Sequence, residues 1–277
     1  MTTLPPGLDP ASVRAVAMDL DRTILADNLE FSPATVRAVG RLDDAGIAAI
    51  VATGRMFASA RPYALQLGVT APVICYQGAL VADPHTGEWL LHRPMDVPLA
   101  HEVIEAVDAA GFHMNVYVDD RLYVEELNEE AVTYATHARL EAHAVGDLVA
   151  WLDRPTTKIV VVGQPEALDR LQDELRAHFD GRAFIAKSLP IFLELALPGV
   201  SKGSALEFVC ERLGIDPAAV VAFGDGANDV ELLEAAGLGV AVADADVALK
   251  PIAGWTVPSV DDDGVAGFLD ALVDSRP

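Results

Sequence analysis

The run Val13-Arg14-Ala15-Val16-Ala17-Met18 has the length and composition of a buried strand, and it stops at Asp19-Leu20-Asp21-Arg22-Thr23. Short apolar runs closed by polar loops constrain a chain to a sheet covered on both faces. In an open parallel sheet, ligands gather beyond the carboxyl ends of the strands, so these acids would line a ligand crevice. Taken alone, the pattern also fits a solvated turn, because Asp and Thr are common turn residues. Two carboxylates aimed from one strand end suggest phosphoryl chemistry.

Three further elements follow in order. Thr53-Gly54-Arg55 comes after the apolar run Ile47 to Ala52. Lys202 stands in Ser201-Lys202-Gly203, and Gly224-Asp225-Gly226-Ala227-Asn228-Asp229 comes after Val220 to Phe223. Together these residues resemble the haloacid dehalogenase (HAD) superfamily of phosphatases. The Lys-Gly and Gly-Asp-Gly-x-Asn-Asp spacing is similar to its Cof-type (IIB) branch, which carries a large cap between the second and third motifs. Asp263-Gly264-Val265-Ala266 is similar to a signature common in that branch, so the resemblance covers essentially the whole chain. It implies an α/β fold: a doubly wound, Rossmannoid parallel sheet core with an inserted α+β cap of the C2B type.

The alternation of elements agrees with that architecture. Pro33 to Ala45 has apolar residues at helical spacing, Ile47 to Ala52 reads as a strand, Phe57 to Leu67 as a helix and Pro72 to Tyr76 as a third core strand. A hairpin is expected through 83–87, a helix over Pro98 to Ala110, and strands Phe112 to Val118 and Arg121 to Glu125 around an Asp119-Asp120 turn. Lys158 to Val162, Pro165 to His178 and Arg182 to Lys187 continue as strand, helix and strand, and Ile191 to Leu195 should resume the core. Lys202 to Leu213, Val220 to Phe223, Val230 to Ala236 and Leu238 to Val242 then complete it. The expected division is a catalytic core of 1–82 and 190–277 with a cap of 83–189.

Bulk properties narrow the function. A chain of 277 residues, 52% hydrophobic and 22% charged, can bury a substantial core. No apolar run approaches a bilayer span, and the N-terminal residues lack basic and apolar signal regions, so a cytoplasmic setting is the default. Cys75 and Cys210 read as buried thiols. The formal charge of −23 argues against nucleic-acid and anionic-membrane partners. The same charge repels phosphorylated compounds, so a phosphate site here needs a bound cation and a few placed basic side chains.

The resemblance implies a role for each motif. Asp19 is the nucleophile, attacking phosphorus to form an aspartyl-phosphate, and Asp21 is the general acid and then the base. Dehalogenases lack the second acid, so Asp21 favours phosphatase chemistry. Asp19, the backbone carbonyl of Asp21, and Asp225 are expected to hold Mg²⁺. Thr53, Gly54, Lys202 and Asn228 bind phosphate, with Gly54 placed at a helix start. Asp229 either orients Lys202 or holds a metal-bound water; equally, it caps the helix that follows it.

Several positions depart from the family pattern. Arg22 stands where Gly is usual and points either at the ligand or outward, and Arg55 has the same two readings. Gln77-Gly78-Ala79 replaces the common Asn-Gly-Ala. Asp244 replaces an Asn, altering an expected amide contact. In the cap, Met114, Asn115, Tyr117 and Tyr123 either face the site or belong to cap core or surface. The substrate class implied is a small phosphorylated metabolite: a sugar phosphate first, then pyridoxal phosphate or flavin mononucleotide. Alternatives are a phosphotransferase or mutase using the same residues, and a noncatalytic ligand-binding protein of the same fold.

Overall fold

The computed structural model describes residues 3–276. One sheet has the strand order Trp255–Val257, Leu238–Val242, Val220–Gly224, Ala15–Met18, Ala48–Val51, with every neighbouring pair parallel. Ala15–Met18 and Val220–Gly224 lie inside the sheet and are buried at every position. That two-sided burial is why they read as unbroken apolar runs. Met18 lies level with both Val51 and Phe223, so the loops after three adjacent strands leave the sheet at one height.

Helices flank the strands where the sequence supplies caps. Ser32 caps Pro33–Asp44, its side chain accepting the Thr35 N–H at 3.0 Å, with proline at the first helical position. Ser201 and Ser204 form a capping box at the start of Lys202–Leu213, which ends at Gly214 in the left-handed conformation. Phe57–Gln66, Val230–Ala235 and Gly264–Asp274 complete this set. Asp263, just before the last of these, accepts the Ser32 hydroxyl at 2.5 Å, so the Asp-Gly-Val-Ala segment ties the last helix to the first.

The run Pro72 to Tyr76 does not join the parallel sheet as a full strand. Val73–Cys75 meets it through a single bridge, Ala52 to Ile74, and pairs antiparallel with Leu80–Ala82. With Trp89–His92 these make a separate three-stranded sheet. Cys75 and Cys210 are both fully buried thiols. Among the described residues, no helix is long and apolar enough to cross a membrane.

The chain divides into two compact units, one running through Leu91 and again from Ser201, the other His92–Val200. Both boundaries therefore fall later than 82/83 and 189/190. The hairpin through 83–87 stays with the first unit. Phe192–Ala196, expected to resume the core, instead pairs antiparallel with Phe184–Leu189 and Lys158–Val162 in the second. A tight reversal at Leu189 makes pairing with the preceding strand the short-range choice.

The second unit is a six-stranded sheet with the order Phe184–Leu189, Phe192–Ala196, Lys158–Val162, His113–Val118, Arg121–Val124, Ala142–Ala144. Asp119 and Asp120 both adopt positive φ, 49° and 58°, the geometry of the tight turn read from the sequence. One sheet face packs Met114, Val116, Ile159 and Val161 against Val103 and Val107 of Val97–Ala109 and Leu171 and Leu175 of Pro165–Phe179. The opposite face carries Asn115, Tyr117, Lys158 and Glu194. There the Tyr117 hydroxyl lies 2.7 Å from that of Tyr134 on Glu129–Ala138, and Lys158 Nζ lies 3.4 Å from Glu194. Met114 is thus core, and Tyr123 packs beside that core against Trp151, ring centroids 4.4 Å apart.

Candidate active site

Asp19 follows Met18 directly, and its backbone N–H donates to the Phe223 carbonyl at 3.0 Å. This bond extends the parallel ladder past the strand end and brings Asp19 beside Asp225, which comes from the other end of the chain. Between them stands Thr23, fully buried, its hydroxyl 3.4 Å from both Asp19 Oδ2 and Asp225 Oδ1. Sequence reasoning gave Thr23 no role. Its place four residues after Asp19, in the same loop, was the available signal.

Lys202 is fully buried, and its Nζ donates to Asp19 Oδ1 and Asp229 Oδ1, both at 2.6 Å. The adjacent glycine explains how it reaches so far in: a Cβ on Gly203 would lie 2.2 Å from the Glu231 carbonyl oxygen. Only glycine allows this helix so close to Val230–Ala235. The two acids hold the lysine pKa above its ordinary value against burial, so the ammonium stays charged.

Asp229 has both carboxylate oxygens engaged. Oδ1 takes the lysine, and Oδ2 accepts the N–H groups of Asp225 and Gly226 at 3.0 Å each. It therefore orients Lys202. It occupies the N-cap position of Val230–Ala235, but its side chain bonds the preceding loop instead of the helix. A Cβ at Gly224 would lie 2.5 Å from that of Asp229, which accounts for glycine there.

Burial holds the Asp19 carboxyl well above the usual range; Lys202 pulls it down, while Asp229 and Asp225 push it further up. Burial also pushes Asp225 up to about 6, with Arg22 opposing and Asp229 adding to the shift. The cluster is thus short of positive charge. Asp19, Asp225 and Asp229 present ligand atoms all within 4.8 Å of one another. Such an oxygen-only donor set fits a hard divalent cation. With Asp229 engaged, Asp19 Oδ2 and Asp225 are the side-chain oxygens left that could hold one.

The two arginines are accounted for. Arg22, at φ +58°, places its Nη2 2.7 Å from Asp225 Oδ2 while its side chain remains 63% exposed. Arg55 donates Nε to Asp21 Oδ2 at 2.8 Å and Nη2 to Asp21 Oδ1, a bidentate pair. Asp21 is thus turned toward Arg55 instead of the Asp19 cluster.

Thr53 is fully buried, and its Oγ1 accepts the Arg55 N–H at 3.2 Å, which leaves the hydroxyl proton to donate. Gly54 does not begin a helix. Phe57–Gln66 starts three residues later, capped at Met56, so the dipole acts on Gly54 less than expected. Asn228 is exposed and its Nδ2 donates to Gln77 Oε1 at 3.0 Å, pairing the two amides. Asp244 is exposed, and its loop instead reaches the site through the Asp246 N–H, 2.7 Å from the Asp225 carbonyl.

Comparison with known proteins gives matches over nearly the whole chain. A model of the haloacid dehalogenase-like hydrolase family matches residues 16–269. The chain is 30% identical over 261 residues to the 5-amino-6-(5-phospho-D-ribitylamino)uracil phosphatase YitU of Bacillus subtilis, covering 92% of this chain and 95% of that one. It is 30% identical over 271 residues to the pyridoxal phosphate phosphatase YbhA of Escherichia coli, covering 93% and 98%. The solved structure of TM0651 from Thermotoga maritima superposes with a TM-score of 0.86 at 33% identity, over 93% of this chain and 97% of that one.

Proposed function

The chain belongs to the haloacid dehalogenase-like hydrolases, and we propose that it is a Mg²⁺-dependent phosphatase of small phosphorylated metabolites acting through an aspartyl-phosphate on Asp19. The observation that carries this reading is the buried constellation of Asp19, Lys202 and Asp225 at the ends of two adjacent parallel strands. Relatives named as phosphatases of a phosphoribityl compound and of pyridoxal phosphate support the reaction class. A sugar phosphate is the first substrate to try, followed by pyridoxal phosphate and flavin mononucleotide. Two buried thiols and the acidic surface fit a cytoplasmic setting.

Phosphate monoesters hydrolyse so slowly that stabilising charge at the transferring group is the main task. Asp19 attacks phosphorus through Oδ1, the oxygen beside Lys202, which leaves Oδ2 for the cation. Lys202 offsets the negative charge that Asp19 and the phosphoryl oxygens bring together. The Thr53 hydroxyl, oriented by the Arg55 N–H, donates to a phosphoryl oxygen. A Mg²⁺ held by Asp19, Asp225 and the Asp21 carbonyl would neutralise the phosphate and polarise its oxygens. Asp21 gives a proton to the leaving oxygen and then takes one from the water that attacks the aspartyl-phosphate. For that step Asp21 must leave its pairing with Arg55, which engages both of its carboxylate oxygens.

The test is phosphate release from a panel of these compounds and nucleotides, with Mg²⁺ or chelator, using the native chain and Asp19→Asn. Release that needs Mg²⁺ and disappears in the folded variant is expected. Release that survives Asp19→Asn would remove the nucleophile assignment, and transfer to an added sugar faster than to water would favour a phosphotransferase.

A further inference from the structure

Arg22 combines two features that ordinary surface arginines lack. Its backbone is left-handed, φ +58°, a conformation that favours glycine. Its guanidinium, on a side chain 63% exposed, nevertheless lies 2.7 Å from Oδ2 of a nearly buried aspartate. The other positive charge of the cluster, Lys202, is fully buried and fixed between two carboxylates at 2.6 Å each. Of the two cations on the cluster of Asp19, Asp225 and Asp229, one is enclosed by the fold and the other is carried on an exposed side chain.

We infer that Arg22 is a displaceable counter-cation that sets the Mg²⁺ affinity of this site. In the metal-free protein it neutralises Asp225, and a dication must compete with it for that carboxylate. The inference rests on the reading that Asp19 and Asp225 hold the metal. Asp19 Oδ1 and both oxygens of Asp229 are occupied by Lys202 and by loop N–H groups, so they are not available to compensate. Of the four oxygens of Asp19 and Asp225, Lys202 and Arg22 each take one, leaving Asp19 Oδ2 and Asp225 Oδ1, both facing Thr23. Arg22 thus blocks an oxygen and also places a like charge beside the incoming ion. Lys202 does the same to Asp19, but it is fully buried, whereas Arg22 has open solvent beside it.

Titration calorimetry of Mg²⁺ into the full chain tests this, comparing the native protein with Arg22→Gln, Arg22→Lys and Asp225→Asn at one ionic strength. Arg22→Gln should bind Mg²⁺ about tenfold more tightly or better, the size of one charge acting on a dication through a water-like dielectric. Arg22→Lys should stay within about threefold of the native chain, because it keeps the charge. Thermal unfolding without Mg²⁺ separates this from a structural role: a lower melting point in Arg22→Gln with unchanged Mg²⁺ affinity would overturn the inference, as would weaker binding. If the native chain binds Mg²⁺ and Asp225→Asn does not, the metal reading stands whatever Arg22 does. If the native chain neither binds Mg²⁺ nor releases phosphate, both fall together.

Discussion

Replacing Lys202 by methionine keeps the length of the side chain and removes its charge, leaving two buried carboxylates facing each other. In the native chain Lys202 Nζ sits 2.6 Å from both Asp19 and Asp229, and none of the three side chains is more than 6% exposed. Deleting one partner of a buried ion pair costs about 3–5 kcal/mol. The carboxylates can escape part of that cost by taking up protons, worth about 1.4 kcal/mol per pH unit for each proton held. In the variant the Asp19 carboxyl, already held above its ordinary value by burial, loses the lysine that pulls it down, so the folded state binds more protons and stability falls as pH rises. At pH 8 the full cost remains, equivalent to a melting point lower by roughly 6–20 °C for a chain of this size. Near pH 5 most of the gap should close. Thermal unfolding in chelator at the two pH values measures this, read on the transition of the unit that contains Lys202. A variant melting within about 2 °C of the native chain at pH 8, or lowered equally at both pH values, would refute the reasoning.

Two other outcomes follow from the site. Asp21→Asn should slow the first-turnover release of the leaving alcohol by roughly 10²–10⁴-fold for alkyl phosphates and far less the release of nitrophenolate from p-nitrophenyl phosphate, whose leaving group needs no proton, while hydrolysis of the aspartyl-phosphate slows with either; equal first-turnover losses would deny Asp21 the acid role. Asp225 has its carboxyl pushed up to about 6, so apparent Mg²⁺ affinity should weaken about tenfold per pH unit below that value and level off above about pH 7; calorimetric titrations that are flat from pH 5 to 8 would contradict this. The same carboxyl works against folding of the metal-free protein as pH rises between about 4 and 6, because the native state then still holds a proton that the unfolded chain has released.

Four strands of the parallel sheet were legible as continuous apolar runs, as in Val220–Gly224, which is buried on both faces; the partly exposed strand Trp255–Val257 was not read. A mostly apolar run does not say which sheet a strand joins: Phe192–Ala196, apolar except for Glu194, reads like a core strand and pairs elsewhere. The short helix Leu148–Trp151 and the strand Ala142–Ala144 were missed because they are too brief to show a period. In the site, the motif residues Asp19, Lys202, Asp225 and Asp229 do converge, since their spacing fixes which loops they sit on. Which acid each arginine would choose was not written in the sequence. Long side chains reach across loops, so Arg55 finds Asp21 and Arg22 finds Asp225 only once the strand order is set. Thr23 stayed unassigned for the same reason, its importance arising from a partner at the other end of the chain.

The pairing of Ala15–Met18 with Val220–Gly224 also orders events in time. A ribosome working at about 5–20 residues per second takes roughly 10–40 s to pass from one strand to the other. Throughout that interval the first strand has no neighbour on one side, and its four buried positions form an apolar edge open to other chains. Asp19 meanwhile has no Asp225 beside it, and Lys202 is made only near the end of the interval. A nascent chain arrested before Val220 should therefore depend on chaperones and be inert toward phosphate esters, becoming competent only when the distant strand slots in. Within the first unit these contacts join the two ends of the sequence, which predicts slow folding of the catalytic sheet.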